Sequence, residues 1–146
     1  DNMLGTGGGI KNALNVLGEE SFYLVNADVF SDFKIDVSKT LLPGTLGHLI
    51  LVPNPPHHPS GDFCLKEEFL VSASGQSSNT FSGVSYLSPD LFASCKNDVF
   101  PLEPILQKAA KEGLLTGEIH RGIWIDVGAP ERLKLAKSIN LSQELF

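Results

Sequence analysis

The stretch from Thr6 to Asp28, TGGGIKNALNVLGEESFYLVNAD, restricts what this chain can fold into more than any other. Ile10, Ala13, Leu14 and Leu17 recur at i, i+3, i+4 and i+7, the spacing of one buried helix face, and Gly18 stands where a helix commonly stops. The pattern predicts a helix over about Gly9 to Leu17, entered through a glycine-rich loop. Phe22 to Val25 is a continuous apolar run, which predicts a strand covered on both faces, and Asn26-Ala27-Asp28 closes it with polar groups. Glycine loop, helix and strand in this order are how α/β proteins present ligands at the carboxyl edge of a sheet.

Each part has a chemical and a bland reading. Gly7, Gly8 and Gly9 carry no Cβ, so backbone N–H groups can lie against a base, a ribose or a phosphate; three glycines also make an ordinary flexible turn. Asp28 ends its strand where catalytic or metal-binding side chains are delivered, and it is equally a turn or cap residue. A second acid stands in the same way far along the chain. Ile123 to Val127 reads as a strand carrying Trp124 and Asp126, Gly128 turns the chain, and Pro130 opens a last helix through Glu131, Leu133, Leu135 and Ala136. Two strand-end carboxylates match the preference of Mg²⁺ for one or two carboxylates alongside phosphate and water oxygens. Asp126 taken alone reads as a helix cap.

The remaining segments are consistent with one compact α/β unit. Leu46 to Val52 reads as a buried strand, followed by a proline-rich loop in which the adjacent His57 and His58 are read as solvated rather than metal-binding. Phe33 to Val37 reads as a short strand or extended loop, and Ser38 to Leu42 as one helical turn before Pro43-Gly44. Asp62 to Leu65 and Phe69 to Ser72 read as a hairpin. Thr80 to Leu87 alternates as a strand, with Gly83 marking a close approach of backbone or ligand. Ser88-Pro89-Asp90 is a helix start, and Pro101 opens a helix with Leu102, Ile105, Leu106 and Ala109 as its buried stripe and Gly113 at its end.

Composition excludes several classes. With 146 residues the chain holds one domain, 1–146, with a real core. A net charge of −6 and only two arginines, Arg121 and Arg132, exclude a nucleic-acid scaffold, and a phosphate ligand would need a divalent cation. Cys64 and Cys95 form no CxxC spacing, no apolar run is long enough to cross a membrane, and a reducing cytoplasm is the expected location. No feature assigns an oligomeric state.

TGGGIKNAL, FYLVNAD, LILVPNPPHHPSGDF, TFSGVSYLSPDLF, FPLEPIL and HRGIWIDVGAPERL, in this order, resemble the sugar-1-phosphate nucleotidyltransferases, and most of all their members that act on N-acetylmuramate 1-phosphate in bacterial cell-wall recycling. The resemblance runs from about Thr6 to Leu135. It implies a Rossmann-like three-layer α/β fold with a mixed sheet, and transfer of a nucleotidyl group from an NTP (UTP here) to a sugar 1-phosphate with release of pyrophosphate. It implies Mg²⁺ held by Asp28 and Asp126, a base against Gly7, Gly8 and Gly9, and Gly83 and Trp124 on the sugar side, with Asn26 and Glu118 as further sugar or ribose contacts. The family's G-x-G-x-R-M loop and its following lysine have no counterpart here, so the first strands are expected before Asp1, the chain being the C-terminal two-thirds or so of a catalytic domain. Lys11 and Arg121 are the basic residues nearest to the expected site. A guanylyl- or thymidylyltransferase and a non-catalytic nucleotide- or sugar-binding module remain open alternatives.

Overall fold

A computed structural model of the protein describes residues 4–66, 70–73 and 78–139. In chain order the elements are helix α1 (Gly5–Leu17), strands β1 (Phe22–Val25), β2 (Val29–Ser31), β3 (Gly47–Val52), β4 (Cys64–Leu65), β5 (Val71–Ser72) and β6 (Thr80–Leu87), a 3₁₀ turn (Pro89–Phe92), helix α2 (Glu103–Lys111), strands β7 (Leu115–Ile119) and β8 (Trp124–Asp126), and helix α3 (Pro130–Ser138). Four strands form a mixed sheet in the order β1-β6-β3-β7, with β6 antiparallel to β1 and β3, and β7 parallel to β3. Two ribbons, β2-β8 and β4-β5, complete the strand pairing among the described residues. The α/β class and mixed sheet agree with the sequence reading.

Strand β3 is buried over most of its length because it lies inside the sheet, between β6 and β7. Leu49 and Leu51 lie in the main core cluster with Leu87 of β6, Leu115 of β7 and Phe63. Helix α2 closes this side with Leu106, Ala109 and Ala110, after Leu102, and Gly113 (φ +72) ends it as its position predicted. Ile10 of α1 joins the same cluster.

Four expectations are corrected. The glycine run is not a loop but the first turns of α1, which begins at Gly5 rather than Gly9. The physical reason is close packing: Gly7 and Gly8 are buried, and Gly8 N–H donates to Phe100 O at 3.1 Å while Phe100 N–H donates to Leu4 O at 3.0 Å. A Cβ on Gly7 would overlap the Phe100 ring, and one on Gly8 would overlap the Asp98 carbonyl oxygen. Strand β1 is not covered on both faces; it pairs with β6 alone among the described residues, and Val25 is exposed. Ser38 to Leu42 does not form a helical turn, and of the two readings of Phe33 to Val37 the loop holds; the strand lies at Val29–Ser31, which pairs with β8. The helix expected from Ser88 is a single 3₁₀ turn, capped by Asp90 N–H donating to Ser88 Oγ at 3.2 Å. Of the β4-β5 turn, residues 67–69 lie outside the described residues.

Candidate active site

The two acids picked from the sequence are brought together by the β2-β8 ribbon. Val29 pairs with Asp126 across it, and Val127 N–H donates to Asp28 O at 2.8 Å. A Cβ placed on Gly128 would stand 2.9 Å from Asp126 Oδ1 and 3.6 Å from Asp28 Oδ2, so both carboxylates converge above that glycine. A side chain at position 128 would fill the space between them.

The acids are held differently. Asp126 Oδ1 accepts from Gly128 N–H at 2.8 Å, and Oδ2 lies 3.1 Å from Arg132 Nη2. Arg132 Nε also donates to the Asp126 carbonyl at 2.7 Å, which locks the guanidinium to the end of β8. His57 Nε2 lies 3.6 Å from Asp126 Oδ2. The Gly128 N–H is the largest influence and, with the Arg132 charge and hydrogen bond and His57 adding to it, holds the Asp126 carboxyl below its ordinary value although burial acts the other way. Asp28 is exposed at the turn between β1 and β2.

Among the described residues no group of three or more His, Cys, Asp or Glu surrounds one ion position. Two carboxylates without a third protein ligand do not make a structural zinc site but are compatible with Mg²⁺, which keeps several water or phosphate oxygens. Asp126 already shares both oxygens with protein donors, so Asp28 offers the freer carboxylate.

Strand β6 shapes the wall beside the acids. Its register against β3 shifts between the pairs Leu49↔Ser85 and Leu51↔Phe81, and Gly83 sits in this irregularity with φ +82. Gly83 O accepts Asn26 N–H at 2.9 Å, and Ser82 O accepts Trp124 Nε1–H at 2.9 Å. The bulge thus ties both the Asn26 turn and the Trp124 ring to one strand.

Three cavities adjoin one another along this edge. The first, about 310 Å³, is lined by Thr6, Asn26, Asp62, Phe81 and Leu102 among others. The second, about 290 Å³, contains Asn26, Asp28, Gly83, Trp124 and Asp126 in its wall. The third, about 490 Å³, has largely apolar walls with His57, His120, Asp126 and Arg132 as polar groups. Asn26 and Phe81 are common to the first two, and Pro55, His57, Trp124 and Asp126 to the last two.

Five residues singled out in the sequence, Asn26, Asp28, Gly83, Trp124 and Asp126, therefore meet in the middle cavity. Glu118 does not line it; on β7 it lies 3.9 Å from His48. Gly7 and Gly8 are packed against the Asp98–Phe100 segment, and their neighbour Thr6 is the residue that reaches the first cavity. Lys11 is tied to Asn97 O and Asp98 at 3.0 Å.

Sequence reasoning misses Arg132 and His57 as parts of the site. Arg132 follows Asp126 in DVGAPER at a spacing that lets the first turn of α3 fold back on the acid, a legible signal. The loop bearing His57 is built rather than free. Asn54 Nδ2 donates to Pro59 O at 2.9 Å, Thr80 Oγ1 donates to Asn54 Oδ1 at 2.9 Å, His58 Nε2 pairs with Asp62 Oδ1 at 2.8 Å, and Phe81 N–H donates to Asp62 Oδ2 at 2.8 Å. No periodicity in a proline-rich segment reveals such pairings.

No protein-family model matches the chain. It is 37% identical over 143 residues to an N-acetylmuramate alpha-1-phosphate uridylyltransferase of Neisseria meningitidis, covering 93% of this chain and 62% of that protein. It is 28% identical over 152 residues to the protein of the same description from Caulobacter vibrioides, covering 96% and 62%. The chain thus spans 62% of the length of each of these curated relatives. Among solved structures, HddC from Yersinia pseudotuberculosis, complexed with GMP-PN, superposes with a TM-score of 0.71 at 22% identity, over 93% of this chain and 62% of that one. The likeness in structure establishes the fold, and the sequence relatives uphold the family resemblance.

Proposed function

We propose that this chain, a relative of the sugar-1-phosphate nucleotidyltransferases in sequence and in fold, forms the acid-pair portion of an enzyme that transfers a nucleotidyl group from an NTP to a sugar 1-phosphate. The specific reading is UTP and N-acetylmuramate 1-phosphate in bacterial cell-wall recycling, in the cytoplasm. Among the described residues no helix is long and apolar enough to cross a membrane.

The run of three adjoining cavities with the acids at its middle supports this reading. The reacting pair is an elongated object with a base at one end, phosphates in the centre and a sugar at the other. The base would lie at the Thr6 end, near Gly7, Gly8 and Gly9, with Asn26 beside the ribose. The phosphates would lie at Asp28 and Asp126, and the sugar would pass Gly83 and Trp124. Glu118 is left outside this assignment.

The chemistry requires no general base. The sugar phosphate oxygen, already ionised near neutral pH, attacks the α-phosphorus; the new O–P bond forms as the bond to the departing pyrophosphate breaks. Rate then comes from in-line positioning and neutralisation of charge. Mg²⁺, when bound, would supply part of that neutralisation. Asp28 and Asp126 would hold it, Arg132 orients Asp126, and the Gly128 backbone leaves the room between the acids.

Pyrophosphate release by the full gene product, measured over a panel of NTPs and sugar 1-phosphates with and without Mg²⁺, tests the proposal. Turnover of UTP with N-acetylmuramate 1-phosphate is the expected result. Preference for GTP or dTTP with another sugar would move the specificity, and nucleotide binding without any product would leave a binding module in its place.

A further inference from the structure

The largest of the three cavities is lined by His120, which the proposed chemistry does not use and which is paired with Asp32 behind it. His120 follows β7 and Asp32 follows β2, and His120 Nε2 lies 2.8 Å from Asp32 Oδ1. The ring is held by Asp32 and Phe33, and the backbone of both partners is anchored. His120 N–H donates to Leu51 O at 2.8 Å, Asp32 N–H donates to Ile123 O at 3.1 Å, and the Phe33 ring meets the imidazole edge-on with centroids 5.6 Å apart. A Cβ on Gly122 would overlap the Asp32 carboxylate and stand 2.7 Å from His120 Cε1, so glycine there lets the pair close.

The proton on the neutral ring follows from its partner. A carboxylate only accepts, so Nε2 carries the hydrogen and Nδ1 is left as an acceptor. Among the described residues no protein group hydrogen-bonds Nδ1. The ring lines the same cavity as Trp124, whose indole is a wall shared with the acid-pair cavity. A cavity-lining histidine held by a carboxylate, with its second ring nitrogen free of a hydrogen-bond partner among the described residues, is suited to accept from a donor group on a ligand.

We infer that His120 is a specificity-determining contact for the sugar half of the substrate, its Nδ1 accepting a hydrogen bond from a hydroxyl or acylamino N–H of a sugar 1-phosphate whose ring lies against Trp124, with Asp32 as the residue that positions it. This rests on the proposed function, which puts the phosphates at the neighbouring acids and so directs the sugar into this cavity. Loss of one such neutral hydrogen bond corresponds to on the order of a tenfold change in apparent affinity.

Steady-state kinetics of the full enzyme, with each substrate varied in turn, test it in the wild type, His120→Ala, His120→Asn and Asp32→Asn, each checked by thermal melting. For His120→Ala the KM for the sugar 1-phosphate is expected to rise about tenfold while that for the NTP stays within about twofold. His120→Asn, whose Oδ1 falls near the place of Nδ1, is expected to recover part of the loss. Asp32→Asn is expected to raise the sugar KM alone. An unchanged sugar KM in His120→Ala or Asp32→Asn, a parallel rise in both KM values, or a His120→Asn enzyme no better than the alanine variant would overturn the inference. If His120→Ala does not fold, the sugar KM of Asp32→Asn decides in the same way. A wild type that makes no nucleotide-sugar from any sugar 1-phosphate defeats the proposed function itself, whereas an active wild type with indifferent variants defeats only the role of His120.

Discussion

Arg132 Nη2 lies 3.1 Å from Asp126 Oδ2, and the same guanidinium donates through Nε to the Asp126 carbonyl. One side chain from the first turns of α3 therefore fixes both the carboxylate and the end of the strand that carries it. Arg132→Ala should move the Asp126 titration upward, toward the ordinary carboxyl value of 3.8, while the Gly128 N–H keeps part of the depression. Because the folded-state value is lowered, the associated stability is present above the unfolded value and is lost as pH falls through the folded one. The pair is partly exposed, so the loss is about 1 kcal/mol or less. Carboxyl-carbon NMR titration of the two proteins measures the shift; coincident curves would remove Arg132 from the account.

The acids themselves should matter unequally to structure and alike to turnover. Asp28 is exposed and Asp126 is tied to Gly128 and Arg132, so Asp126→Ala should lower the melting temperature more than Asp28→Ala. In the full enzyme each should remove most Mg²⁺-dependent pyrophosphate release. Full activity in either variant would take that residue out of the proposed metal site.

Two glycines of α1, Gly8 and Gly9, separate packing from ligand binding. A Cβ at Gly8 would meet the Asp98 carbonyl, which backbone cannot yield cheaply, and Gly8→Ala should destabilise by about 1–3 kcal/mol. Gly9 has nothing within 4 Å of its Cβ position, and Gly9→Ala in a helix should stabilise by about 0.5–1 kcal/mol. Urea midpoints of the two variants test both signs. If Gly9→Ala also raises the KM for the NTP, the base lies against this helix as proposed.

What the sequence makes legible is local. Period and punctuation locate α2 with its Gly113 stop, the buried strand β3, and the two acids at or just beyond strand ends. The glycines mislead because a run of residues without side chains looks the same whether it turns or packs; only the Asp98–Phe100 segment, distant in sequence, makes Gly7 and Gly8 helical and buried. Strand β1 misleads for a related reason, since an apolar run of four residues does not say which neighbours cover it. His57, His120 and Asp32 are invisible as a site because their meaning lies in pairings between loops, and loop pairings have no period.

Gly83 combines two constraints, a φ of +82 and an Asn26 side chain 2.9 Å from where a Cβ would stand. Gly83→Ala should therefore cost about 1–3 kcal/mol through backbone strain and displace Asn26 into the middle cavity. Chemical denaturation measures the first effect. The second predicts weaker substrate binding in the full enzyme beyond what the stability loss explains, and unchanged KM values would show that the cavity tolerates the shift.

His48 gives the protein a pH dependence that begins well above the carboxylate range. Its ring lies on β3, with Nδ1 bonded to Thr116 Oγ1 at 2.9 Å and Nε2 buried without a hydrogen-bond partner among the described residues. Burial, helped by the charge of Lys39 and opposed by Glu118, lowers its pKa from 6.5 to about 4. The unfolded chain thus takes up a proton near pH 6.5 that the folded one refuses until about pH 4. Stability should be full above pH 6.5 and decline as pH falls toward 4, by at most about 1.4 kcal/mol per pH unit from this group and less where solvent screens it. Replacing His48 by asparagine, which keeps a polar partner for Thr116 but does not titrate, should lower stability at neutral pH and flatten this part of the curve. Urea melts from about pH 7.5 to 4.5 decide the matter, equal slopes in both proteins being the adverse result.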